Sequence, residues 1–288
     1  MPASKKPHRK SASATGTKAP TDPALPDRRS MEAFLSAISG RRRDDALERA
    51  QDVMYDAWDK TTSRSRIALA RKALDISPVC ADAYNLLAGE AVTPAEARDL
   101  YARGLEAGEL ALGPEGFAEY EGDFWGFLET RPYMRARQGL GLTLLKLGEE
   151  EAAIEHFRAM LKLNPNDNQG IRYLLLGSFL SRDDIPALKA LLSDYPNEWS
   201  VYWLYTRALI AYREDQASAP ATLELLKNAQ SVNGHVPAIL AGTKPAVLSS
   251  SGYVEFGGAD EATDYVHECG AAWRRTPGAV EWLATALP

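Results

Sequence analysis

The sequence predicts an all-α protein built as a solenoid of antiparallel helix pairs, and three observations carry the prediction. A register of apolar and small residues recurs with an offset of 34: Leu140, Gly141, Ala153 and Phe157 fall over Leu174, Leu175, Ala187 and Leu191. Apolar residues follow helical i, i+3, i+4 spacing, as in Ile154, Phe157 and Leu161. The β-branched alternation that marks strands is scarce, so strands are not expected.

Taken in order, residues 1–29 read as a disordered basic tail: they hold prolines and seven Lys/Arg against Asp22 and Asp27, and lack the apolar run of a signal peptide. Residues 30–61 read as an N-terminal helical segment, carried by MEAFLSAI and DDALERAQDVMYDAWDK. Hairpins then run over 62–232. KALDISPVC ends one helix at Pro78, and the next carries Tyr84, Leu87 and Ala88. Ala97 lies 56 residues before its equivalent Ala153 rather than 34, so 22 extra residues are lodged between them. Most fall in ELALGPEGFAEYEGDFWGFLETR, an insertion near 110–131 rich in aromatic and acidic residues, expected to form a loop on one face. EWSVYWLYTRALIAYRED and PATLELLKNAQSVN form a further pair. Residues 233–288 open on HVPAILAGTKPAVLSSSGYVEFGGAD, whose Gly, Pro and Ser break helices, and close with two helical pieces that cap the last hairpin.

The segment YMRARQGLGLTLLKLGEEEAAIEHFRAMLKLNPND resembles a tetratricopeptide (TPR) repeat almost throughout. Gly141 takes the small position of helix A, Gly148 the A/B turn, Ala153 and Phe157 the face of helix B, and Pro165 its close. The fold class is therefore a TPR-like helical-hairpin solenoid with an aromatic/acidic insertion and a helical C-terminal extension. Beyond that pattern, ALDISPVCADAYNLLAGEA, ARDLYARGLEAGE, FLETRPYMRAR, LNPNDNQGIRYLLL, NGHVPAIL and AAWRRTPGAVEWL resemble the suppressor of tumorigenicity family, in particular its bacterial relatives. That resemblance implies an interaction protein with no catalytic residues to carry over. It also implies a departure from the animal relatives, whose membrane-spanning segments have no counterpart here.

Composition limits the chemistry. The net charge is −6, and removing the +5 of the tail leaves −11 on the body, which repels phosphate and leaves the tail as the one route to nucleic acid. No apolar run approaches the roughly 18 residues needed to cross a bilayer. Cys80 and Cys269, far apart, make neither a disulfide framework nor a metal set, and point to a reducing, cytoplasmic setting. The histidines show no zinc spacing, and the Gly139/Gly141 pair lies inside a helix rather than in a phosphate loop. No cofactor and no metal are expected. Cys80 precedes a helix N-terminus, a place where thiols can be activated, but small residues are common in that turn and both cysteines are read as packing residues.

Function is therefore sought on a surface. Helix-A positions facing the inner groove of a TPR place Arg135, Gln138, Gln169 and Arg172 side by side, with Trp125, Arg131 and Asn168 at the rim. Arginine forks suit carboxylates and phosphates, and an aromatic ring supplies a rigid anchor. The plainer reading pairs these arginines with insertion acids such as Asp123 and Glu129. The expectation is a non-catalytic scaffold or adaptor binding a peptide or protein in its concave groove. An enzyme or small-ligand binder with its site between insertion and groove is the alternative.

Overall fold

The structure, a computed structural model, describes residues 45–215, 219–247 and 254–286. The expectations for the tail at 1–29 and for MEAFLSAI fall outside those residues. Among the described residues there are thirteen helices and no strand.

Five antiparallel pairs follow one another. Asp45–Trp58 (α1) packs on Ser63–Ile76 (α2), and Ala81–Gly89 (α3) on Pro94–Tyr120 (α4). Arg131–Leu147 (α5) then packs on Glu150–Leu163 (α6), Ile171–Ser181 (α7) on Ile185–Asp194 (α8), and Val201–Asp215 (α9) on Pro220–Val232 (α10). This is a TPR-like helical-hairpin solenoid. Local chemistry sets the boundaries. Thr93 caps α4 by accepting from the Glu96 amide at 3.2 Å, ahead of Pro94, whose missing N–H costs nothing there. Gly148 ends α5 with φ 77°, a left-handed conformation that glycine adopts without penalty.

Helix α5 approaches its neighbours through small residues. A Cβ built on Gly141 would lie 2.5 Å from Cε1 of Phe157, which is fully buried. The repeat-specific glycine is thus a packing requirement: it lets α5 and α6 close on that ring.

Two features differ from the sequence reading. Much of the insertion is helix rather than loop. The chain continues as α4 to Tyr120 through a break at Gly113 (φ 62°, ψ 174°), and only 121–130 is irregular. Phe117, Tyr120, Phe124 and Tyr133 pack their rings edge to face there, with Phe124 fully buried. In the C-terminal part, Val236–Leu240 (α11) is helical despite its surroundings, since Pro237 sits in the first turn of the helix.

Ala259–Arg275 (α12) does more than cap the last hairpin. It packs against both α7 and α9, two successive A helices. Tyr265 and Trp273 of α12 are fully buried, and the Trp273 indole donates to the Tyr265 hydroxyl at 2.8 Å. Arg275 donates to the Leu180 carbonyl at the end of α7. Ala279–Thr285 (α13) closes the end, packing Trp282 at a tilt against Tyr212 of α9 and accepting from Gln230 of α10 at the Leu283 carbonyl. The solenoid thus covers the A helices of its last two pairs with its own chain.

Candidate functional site

The residues singled out on the A helices form a ladder of side-chain hydrogen bonds that climbs from pair to pair. At its lower end stands Asp82, whose side chain is 1% exposed. It accepts from Nε of Arg135 at 2.9 Å and from an Nη at 2.6 Å, a two-point fork. Gln51 of α1 adds a bond at 3.1 Å and Asn85 of α3 another at 3.2 Å. One carboxylate therefore ties α1, α3 and α5 together. Asn85 also donates to the Pro132 carbonyl at 2.9 Å, fixing the start of α5.

One turn along α5, Gln138 accepts from the Gln169 amide at 2.8 Å and links α5 to the segment that leads into α7. From there the ladder continues through Arg172. Its Nη1 meets Asp167 at 2.9 Å, its Nε meets Glu198 at 2.9 Å, and its Nη2 donates to the Tyr173 hydroxyl at 3.0 Å. The guanidinium also lies over the rings of Tyr173 and Tyr195, at 4.5 and 5.5 Å.

The two acids on Arg172 respond in opposite directions. Burial pushes the Asp167 carboxyl above its ordinary range, outweighing the bonds it accepts from the Arg172 and Ile171 amides and the Arg172 side chain. Burial also acts on Glu198, but the Ser200 amide and Arg172 outweigh it and hold its carboxyl below the ordinary range. The difference follows depth: the Asp167 side chain is 1% exposed and that of Glu198 15%. For Arg172 itself, burial opposes the charge, and Tyr173, Glu198 and Asp167 more than restore it.

The polar run LNPNDNQGIRY is now accounted for. Asn164 accepts from the Trp125 amide at 3.4 Å and donates to Asn168 at 3.2 Å. Asp167, held at φ 49°, caps α7 by accepting from the Ile171 amide at 2.7 Å and the Arg172 amide at 3.0 Å. The insertion is fastened to the same turn: the amides of Gly122 and Phe124 donate to the Leu163 carbonyl at 3.1 and 3.2 Å. Arg131 donates to the Trp125 carbonyl at 3.0 Å and lies 5.5 Å from the Trp125 ring centre, so these two rim residues pack on each other.

Each residue picked from the sequence thus has a place, but the chemistry expected of the arginines changes. Both forks are filled by carboxylates of the same chain. For Arg172 these are Asp167 and Glu198, not the insertion acids. Sequence reasoning missed Asp82 and Glu198. The signal for Asp82 was a lone acid inside the apolar helix-A stretch ADAYNLL. The side chains of Arg135 and Arg172 remain 28% and 18% exposed. Cys80 shows no activation: burial, then the charge of Asp82, push its thiol up to about 12, and burial raises Cys269 further still.

Repeated hairpins joined by a ladder of hydrogen bonds along their A helices define a TPR-like helical-repeat protein. Comparison with known proteins adds a second level: the family model described as ST7 protein matches residues 41–169. The chain resembles proteins of this family along most of its length. It is 28% identical over 262 residues to Protein ST7 homolog of Drosophila pseudoobscura pseudoobscura, covering 83% of this chain and 48% of that protein. It is 28% identical over 267 residues to the human Suppressor of tumorigenicity 7 protein-like, covering 83% of this chain and 45% of that protein. The chain thus spans about half the length of the curated relatives it matches. Among solved structures it is similar to YrrB, described as a TPR protein with an unusual peptide-binding site, with a TM-score of 0.44 and 18% identity over 69% of this chain and 91% of the other. Among the described residues, no helix is long and apolar enough to cross a membrane.

Proposed function

We propose that the chain is a non-catalytic, cytoplasmic scaffold whose helix-A face receives a peptide or a segment of a partner protein. The observation that carries this reading is the hydrogen-bond ladder. It runs along successive A helices from Gln51 to Glu198 and leaves the side chains of Arg135 and Arg172 partly exposed. A polar face whose side chains are already locked loses little rotamer entropy on binding, which favours recognition of an extended or helical segment. The contact residues in this reading are Trp125, Arg131, Arg135, Gln138, Asn168, Gln169 and Arg172. Because α12 lies on α7 and α9, the partner occupies the face of α1, α3 and α5 and the turn entering α7. Burial of both thiols, neither in a disulfide, supports the reducing location.

Truncating the ladder arginines perturbs folding, so the test leaves the ladder intact. Benzoylphenylalanine is placed at Asn168 on the rim, or at the exposed Lys189 of α8 as a control, and the protein is irradiated in native lysate. A protein cross-linked from position 168 and not from 189 supports the face. Cross-links confined to position 189 would sink it.

A further inference from the structure

A second surface lies on the other helices of the hairpins. Between α6 and α8 a cleft of about 510 Å³ opens over α7, with Leu175 and Phe179 as its floor. The α8 wall carries Ala190 and Leu191, and the end is closed where the Tyr195 hydroxyl donates to the Pro165 carbonyl at 3.4 Å. The α6 wall carries Arg158 and Lys162, four residues apart and hence on one side of that helix. Both are exposed, and among the described residues neither forms an ion pair. The Arg158 guanidinium lies over the Phe179 ring, 5.3 Å from its centre, at the mouth of the cleft.

Several surface cations, such as Arg66, Arg98, Arg182, Lys189 and Arg213, are matched to carboxylates, whereas Arg158 and Lys162 stand together on one side of α6 at the cleft. Two exposed cations without an ion pair among the described residues, beside an apolar cleft on a body carrying −11, therefore form a local site for negative charge. Asp194 on the opposite side gives the site a direction: it repels an acid at that wall and leaves the α6 wall as the anionic end. The chain's own basic tail has the wrong sign to fill it.

We propose that this cleft docks an acidic peptide segment of a partner protein. An apolar side chain of the peptide sits between Leu161 and Ala190, and a neighbouring carboxylate meets Arg158 and Lys162. This is a surface separate from the helix-A face, so either assignment can fail without the other.

The test is a display selection of random peptides of about twelve residues, the length of a short helical or extended recognition segment, on the immobilised full chain. The selected peptides are then measured by fluorescence anisotropy. Enrichment of Asp or Glu beside Leu or Phe is expected. Binding should weaken at least about tenfold in R158E/K162E, fall as salt rises, and be lost in A190W, which fills the cleft from an exposed position. The proposal is overturned if no peptide is enriched, if acids are not, or if neither variant changes the affinity. Loss with N168W, on the exposed rim, but not with R158E/K162E assigns the peptides to the helix-A face and overturns it too. So does a dimer of the chain, seen by sedimentation, that A190W dissociates.

Discussion

Asp82 and Arg135 allow a prediction with a built-in asymmetry. Arg135→Ala removes both arms of the fork and leaves a carboxylate that is 1% exposed with two donors, Gln51 at 3.1 Å and Asn85 at 3.2 Å. Removing one member of a fully buried pair costs about 3–5 kcal/mol. Here the guanidinium is 28% exposed and two donors remain, so about 2–3 kcal/mol is expected. Asp82→Ala instead leaves a side chain that is already 28% exposed and can be solvated, and should cost only about 1–2 kcal/mol. The double variant should be less destabilised than the sum of the singles, with a coupling of about 1–2 kcal/mol. Urea denaturation followed by far-ultraviolet circular dichroism measures all three. The argument fails if Asp82→Ala costs as much as Arg135→Ala, or if the two effects simply add.

Three further outcomes follow from the same geometry. Gly141→Ala should destabilise by about 1–3 kcal/mol, because its Cβ would meet Phe157 at 2.5 Å, and thermal melts would show a lowered midpoint. Arg172→Ala should cost more at pH 7 than at pH 4. Burial already raises the folded-state carboxyl of Asp167, so stability linked to its neutral form is present below the unfolded value and lost as pH rises through the folded one. Without the guanidinium, the ionised form loses its partner and that loss deepens, which denaturation midpoints across pH would record. Cys80 and Cys269 should resist iodoacetamide at pH 8 in the native protein and react once it is unfolded, because burial raises both thiols; mass spectrometry counts the adducts.

The hairpin architecture was legible in the sequence because its causes are local or periodic. Apolar spacing defines the buried stripe of each helix, and Gly141, Gly148, Ala153 and Pro165 mark a repeat whose packing each unit shares with the next. The insertion was legible as extra length. Its helical half was not, because Gly113 and Pro114 resemble a helix break, and only the packing of Phe117 and Tyr120 on Phe124 and Tyr133 makes helix the better conformation. The candidate site was legible as positions but not as pairings.

The sequence by itself determined the helices of the repeats, their pairing and the side of α5 that presents Arg135 and Gln138, since helical pitch and a 34-residue period set all three. Tertiary structure alone decided what those side chains meet. Asp82 lies 53 residues from Arg135, and Glu198 lies 26 from Arg172. Tertiary structure alone also laid α12 across the A helices, with Arg275 reaching Leu180 from 95 residues away. Ion pairs and hydrogen bonds depend on distances of a few ångströms and on burial, and no sequence period encodes either.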